Sequence, residues 1–78
     1  MKDALTFIVN SIVTDPKKTV IEESEDNGTL LFTISVPKED MGKMIGKDGK
    51  VIRAIRNVMK IPAIKQNRRI SISLLEQE

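Results

Sequence analysis

The chain has no cysteine, histidine, tryptophan or tyrosine, and each absence removes a class of function. Without cysteine there is no disulfide framework, thiolate nucleophile or thiolate metal ligand. Without histidine, the usual general base near neutral pH and the commonest transition-metal ligand are both missing. Phe7 and Phe32 are the only aromatics, so a surface of stacked rings has almost nothing to work with. No uncharged run approaches the ~18 apolar residues of a spanning helix, and the stretch Gly28 to Pro37 includes Thr and Ser. Met1-Lys2-Asp3 leads into an amphipathic pattern, not into the apolar stretch and small-residue cleavage site of a signal peptide. These gaps point to a non-catalytic cytoplasmic protein with no catalytic residues, no metal and no cofactor. An enzyme here would have to work with Asp, Glu, Lys and Ser alone.

What is present is 78 residues, 40% hydrophobic and 31% charged, which suits one small folded domain over residues 1–78. The net charge of +2 hides an asymmetry. Glu22, Glu23, Glu25 and Asp26 make an acidic run that reads as a solvated hairpin tip. Between residues 41 and 70, Lys43, Lys47, Lys50, Arg53, Arg56, Lys60, Lys65, Arg68 and Arg69 face Asp48 alone. A basic half on so small a domain suits a polyanionic partner.

Leu5, Ile8, Val9, Ile12 and Val13 recur at helical spacing and form one stripe, and Asp15-Pro16 ends that helix. Thr19 to Ser24 reads as a strand. Asn27-Gly28 then supplies the pair that tolerates positive φ in a two-residue hairpin turn. Leu30, Phe32, Ile34 and Val36 alternate with Leu31, Thr33 and Ser35, as in a half-buried strand. Pro37 opens a short helix with Glu39 and Asp40 in its first turn, running to about Met44.

A second helix is expected from Lys50 to near Ile61, where Pro62 disfavours continuation. At about 100° per residue, Val51, Ile52, Ile55, Val58 and Met59 fall on one side of it. Arg53, Arg56 and Lys60 fall on the other. Ile70, Ile72 and Leu74 alternate with Ser71 and Ser73 as a third strand. The order α-β-β-α-α-β predicts an α+β fold, a three-stranded sheet with helices packed on one face. A core this small makes self-association the expected supplement.

The informative stretch is Met41-Gly42-Lys43-Met44-Ile45-Gly46-Lys47-Asp48-Gly49-Lys50-Val51-Ile52-Arg53. Two glycines three apart, between helices, let a ligand approach the backbone without Cβ obstruction. The free N–H groups of the following helix and its positive dipole end lie at the same turn. A Walker loop would need Gly at 41 and a hydroxyl at 48, where the chain has Met41 and Asp48. A dinucleotide fingerprint would need Gly at 44, where the chain has Met44, and a preceding strand instead of a helix.

The extended motif Ile45-Gly46-Lys47-Asp48-Gly49-Lys50-x-Ile52, in this order of elements, resembles the KH domain. The Gly-x-x-Gly loop of that fold clamps about four nucleotides of single-stranded backbone. The element order looks like the type II form, and the whole chain is similar to the small bacterial single-KH proteins of the KhpA family. The resemblance implies a single-stranded RNA-binding protein, an RNA chaperone or post-transcriptional regulator. It also implies homodimerisation, or pairing with a larger KH-containing partner. The small core and the apolar segment Ile61 to Ile64 support an alternative, a protein-interaction module of this fold that works chiefly by pairing.

Carried over residue by residue, Gly46 and Gly49 are the loop glycines and Lys47 and Asp48 its variable middle. Lys47 is then a phosphate contact, while Asp48 should face away from the RNA or cap the next helix. Ile45 and Ile52 match the apolar positions beside the base-binding groove of such domains, although helical periodicity makes at least Ile52 a core residue as well, and Lys43, Lys50 and Arg53 lie on its basic side. Arg68 and Arg69 lie where the segment before the last strand borders it. In the family the segment after the basic helix is alanine-rich and prolongs that helix; here it is Ile61-Pro62-Ala63-Ile64. Ile61 and Ile64 are candidates either for a dimer contact or for closing the core.

Overall fold

The computed structural model describes residues 1–77. Helix α1 (Lys2–Ile12) leads through a single 3-10 turn, Pro16–Lys18, into the hairpin β1 (Val20–Asp26) and β2 (Thr29–Val36). Helices α2 (Lys38–Ile45) and α3 (Lys50–Lys65) then precede β3 (Arg69–Glu76). The sheet order is β1-β2-β3, with β1 antiparallel and β3 parallel to β2. This is the expected α-β-β-α-α-β arrangement, and the sheet is mixed.

Local chemistry explains most of the element ends. Asn27 and Gly28 both take positive φ, 52° and 84°, as the two-residue turn requires. The extra turn at Pro16 was not foreseen from Asp15-Pro16; Asp15 Oδ1 caps it by accepting from the Lys17 N–H at 3.0 Å. Pro37 precedes α2 as its cap residue, in extended conformation.

The register places Ile34, Phe32 and Leu30 on one face of β2, beside Leu74, Ile72 and Ile70 of β3. Leu5, Val9 and Val13 from the first helix and its end, Met44 from α2, and Ile52, Ile55 and Met59 from α3 close over this face. Fully burying each such side chain stabilises the fold by roughly 1.5–3 kcal/mol. On β1 all residues but Ile21 are exposed, so its acids remain solvated at the sheet edge. Among the described residues no helix is long and apolar enough to cross a membrane.

Two expectations for α3 are corrected. The helix does not end near Ile61; it runs through Pro62 to Lys65. The N–H that proline lacks would have bonded the carbonyl of Val58, a residue whose side chain is half exposed, so water is at hand. Ala63, 3% exposed, continues the buried stripe one turn beyond Met59. The stop comes from Asn67 in the left-handed region (φ 55°), with Asn67 N–H donating to Ile64 O and Arg68 N–H to Ala63 O at 3.0 and 2.9 Å. That pair of bonds is a Schellman cap with asparagine in the usual glycine position. Val58, expected on the core side, is exposed, as are Ile61 and Ile64, which therefore do not close the core.

Candidate nucleic-acid interface

The turn between α2 and α3 is built from left-handed backbone. Gly46 has φ 74° and ψ 174°, Asp48 φ 57° and ψ 26°, and Gly49 φ 73° and ψ 17°. Gly46 N–H donates to Gly42 O at 2.9 Å, closing α2, and Gly49 N–H donates to Gly46 O at 3.2 Å. Lys50 N–H returns to the Lys47 carbonyl. The N–H groups of Lys47 and Asp48 make no such bond among the described residues, so the tip of the turn offers them to a ligand.

The two glycines are needed for different reasons. A Cβ on Gly46 would collide with the Val51 side chain, whose own Cβ would be 2.8 Å away. A Cβ on Gly49 would meet nothing within 4 Å. Gly46 lets α3 start close against the end of α2, while Gly49 keeps an open approach from solvent.

Of the sequence-derived site residues, the fold gathers Lys47, Asp48, Gly49, Lys50 and Arg53 around this turn, all but Gly49 exposed. Arg53 Nη2 lies 3.5 Å from the Asp48 carbonyl. Asp48 caps neither the turn nor α3 with its side chain, which leaves the carboxylate free in solvent. Ile45 is 38% exposed beside the loop.

The others go elsewhere. Ile52 is a core residue at 8% exposure. Lys43 Nζ donates to Thr14 Oγ1 at 2.6 Å, on the side of α2 that meets the end of α1. Arg68 pairs with Glu25 at 3.0 Å. Arg69 shares a sheet row with Thr29 and Asp26, on the face opposite Ile70 and the helices, so β3 turns it away from the loop.

The fold also assembles a feature that residue spacing did not single out. Between α3 and β3 lies an open groove of about 250 Å³ lined by Arg56, Lys60, Ile70, Ser71 and Ile72. Strand β3 pairs only with β2, so its other edge faces this groove. Arg56 Nε and Nη2 donate to the Ile72 carbonyl there at 3.4 and 3.2 Å. The available signal was the i, i+4 spacing of Arg56 and Lys60. Placing β3 at the sheet edge beside them required the parallel β2–β3 pairing, which alternation alone does not reveal.

One buried charge organises the back of α2. Asp40 is 2% exposed, and its Oδ1 accepts from the Thr14 N–H at 3.1 Å. Hydrogen bonding from the Thr14 hydroxyl holds its carboxyl below the ordinary value of 3.8, against the opposing effect of burial. The Thr14 and Asp15 N–H groups and the charge of Lys43 add to this. The arrangement ties α2, and with it one arm of the glycine turn, to the end of α1.

A helix–glycine turn–helix packed on a three-stranded α+β sheet defines the chain as a KH-type domain. The family model described as "KhpA/KhpB, KH domain" matches residues 2–74, and the chain belongs to that family. Among its relatives is the RNA-binding protein KhpA of Chlamydia pneumoniae, 36% identical over 78 residues and covering the full length of both chains. The protein of the same name from Clostridium acetobutylicum is 36% identical over 75 residues, 96% of this chain and 100% of that one. The Listeria monocytogenes KhpA is 34% identical over 76 residues, 97% of this chain and all of its own.

Among solved structures, Era in complex with MgGDPNP and nucleotides 1506–1542 of 16S ribosomal RNA superposes with a TM-score of 0.59 at 12% identity. The match covers 92% of this chain and 28% of Era. At that identity the likeness is one of fold.

Proposed function

We propose that this protein binds single-stranded RNA without catalysis, gripping the phosphate backbone at the Gly46–Gly49 turn and laying bases into the α3–β3 groove. The observation that carries the reading is the turn itself. Left-handed residues present the Lys47 and Asp48 N–H groups at the start of α3, with open space over Gly49 and with Lys47, Lys50 and Arg53 exposed around them. Such a turn suits a phosphodiester. The names of the full-length relatives support RNA as the ligand. Arg56, Lys60 and the free edge of β3 offer hydrogen-bonding groups to unstacked bases.

With so few aromatics the grip rests on charge and shape, so binding should be weak and salt-sensitive. The log–log slope is roughly −0.7 per phosphate neutralised on a single strand. That behaviour suits an RNA chaperone or post-transcriptional regulator. The test is fluorescence anisotropy of labelled single-stranded RNA with native protein and Lys47→Asp, both checked for folding by circular dichroism. Binding by the native chain and its loss in the folded variant supports the clamp. Equal binding by both would reduce the surface to a nonspecific polyanion site.

Pairing is a second reading, favoured by the exposed Val58, Ile61 and Ile64 on α3. Two paired copies would present two grooves to one RNA and raise avidity. Sedimentation of native protein and Ile61→Lys tests it; a native dimer that the variant dissociates is the expected result, and a native monomer at all concentrations rejects it.

A further inference from the structure

The chain carries thirteen basic and eleven acidic side chains, yet among the described residues a single ion pair joins them, Arg68 Nη2 to Glu25 Oε1 at 3.0 Å. Arg68 stands in the turn that ends α3, its backbone fixed by the N–H bond to Ala63 O at 2.9 Å. It lies two residues before Ile70, where the α3–β3 groove begins. Glu25 is on β1, at the other side of the sheet, in the row Glu25–Leu30–Ile70. The Arg68 side chain therefore reaches back across the end of the sheet to an acid that the hairpin carries there. Arg56 donates to a backbone carbonyl, and Arg68 alone among the described cations is held by a carboxylate.

We infer that Glu25 holds Arg68 in reserve, keeping this cation, two residues before the first lining residue of the groove, off a bound strand. The inference rests on the RNA reading above. Glu25 then acts as a positioning residue that sets affinity and salt dependence without touching RNA. The pair is exposed, 35% and 58% at its two side chains, and contributes little to stability. Removing it leaves the fold in place and changes binding.

The test compares Glu25→Gln with Glu23→Gln, on a labelled single-stranded RNA of about eight nucleotides, twice the span of one KH loop. Glu23 lies on the same strand and the same face, so its variant loses the same charge without freeing an arginine. Glu25→Gln should bind about fivefold more tightly at about 100 mM salt, with a log–log slope steeper by roughly 0.7, one added phosphate contact. Glu23→Gln should show only a small fraction of that gain, and Glu25→Gln placed in an Arg68→Gln background should gain no more than Glu23→Gln does. Equal gains from the two glutamate variants, or a full gain that survives without Arg68, would overturn the reserve mechanism alone. Absence of binding by every variant at low salt would overturn the RNA reading and this inference with it.

Discussion

Gly46 has no room for a side chain because Val51, in the first turn of α3, lies against it. A Cβ there would stand 2.8 Å from Val51 Cβ and 2.9 Å from its backbone nitrogen. Its φ of 74° with ψ of 174° is also a region essentially reserved for glycine. Gly46→Ala should therefore lose about 3 kcal/mol or more through strain and overpacking together. Gly49→Ala faces open space and only the left-handed penalty, about 1–2 kcal/mol. Urea unfolding should show this order. Gly49→Ala should remain folded and still lose RNA affinity, because its methyl group occupies the approach to the turn. Equal destabilisation by the two changes would contradict the geometry.

That contrast between the glycines was only half legible in the sequence. The motif announced a close backbone approach, the stripe from Leu5 to Val13 announced α1, and Asn27-Gly28 announced the hairpin, because each depends on neighbours within one or two turns of chain. Pro62 misled because its local preference is overridden by packing: Ala63 and Met59 bury on the same face, and the real stop is Asn67. Arg69 was placed at the site by analogy of position, whereas strand alternation sends it to the open sheet face; Ile52, given to the site by the same analogy, is in the core as its helical phase already required. The groove at Arg56 and Lys60 depends on which strand lies at the edge, a long-range pairing that no local pattern encodes.

Pro62 gives a second prediction. It sits within α3 and leaves the Val58 carbonyl without its helical partner. Pro62→Ala restores that bond and a strong helix former, and should raise stability by about 1–3 kcal/mol with an unchanged urea m-value. A fall in stability would mean that the partly buried ring contributes more through packing than its missing N–H costs.

The bond from Thr14 N–H to Asp40 makes stability depend on acid pH. The Asp40 carboxyl is held below its ordinary value of 3.8 chiefly by the Thr14 hydroxyl. A depressed folded-state pKa means a stabilising contribution fully present above the unfolded value. It is lost as pH falls through the lower folded value. Asp40→Asn should therefore be less stable than the native chain at neutral pH, and the gap should close as pH drops below about 4. Urea midpoints measured across that range decide it; a gap that stayed constant into strong acid would show that the carboxylate's charge plays no part.

Asp48 is the one acid between residues 41 and 70, and it stands at the point of the turn where a phosphate would approach. Its backbone, at φ 57°, explains an aspartate or asparagine there, since both tolerate the left-handed region better than most residues. The carboxylate itself makes no capping bond, so the fold does not require its charge. Asp48→Asn should keep stability within about 0.5 kcal/mol. It should also tighten RNA binding several-fold at low salt, opposite in sign to Lys47→Asp one residue away. Because the gain is electrostatic, it should shrink as salt rises from about 50 to 200 mM. An affinity unchanged by Asp48→Asn at every salt concentration would place the phosphate path away from the tip of this turn.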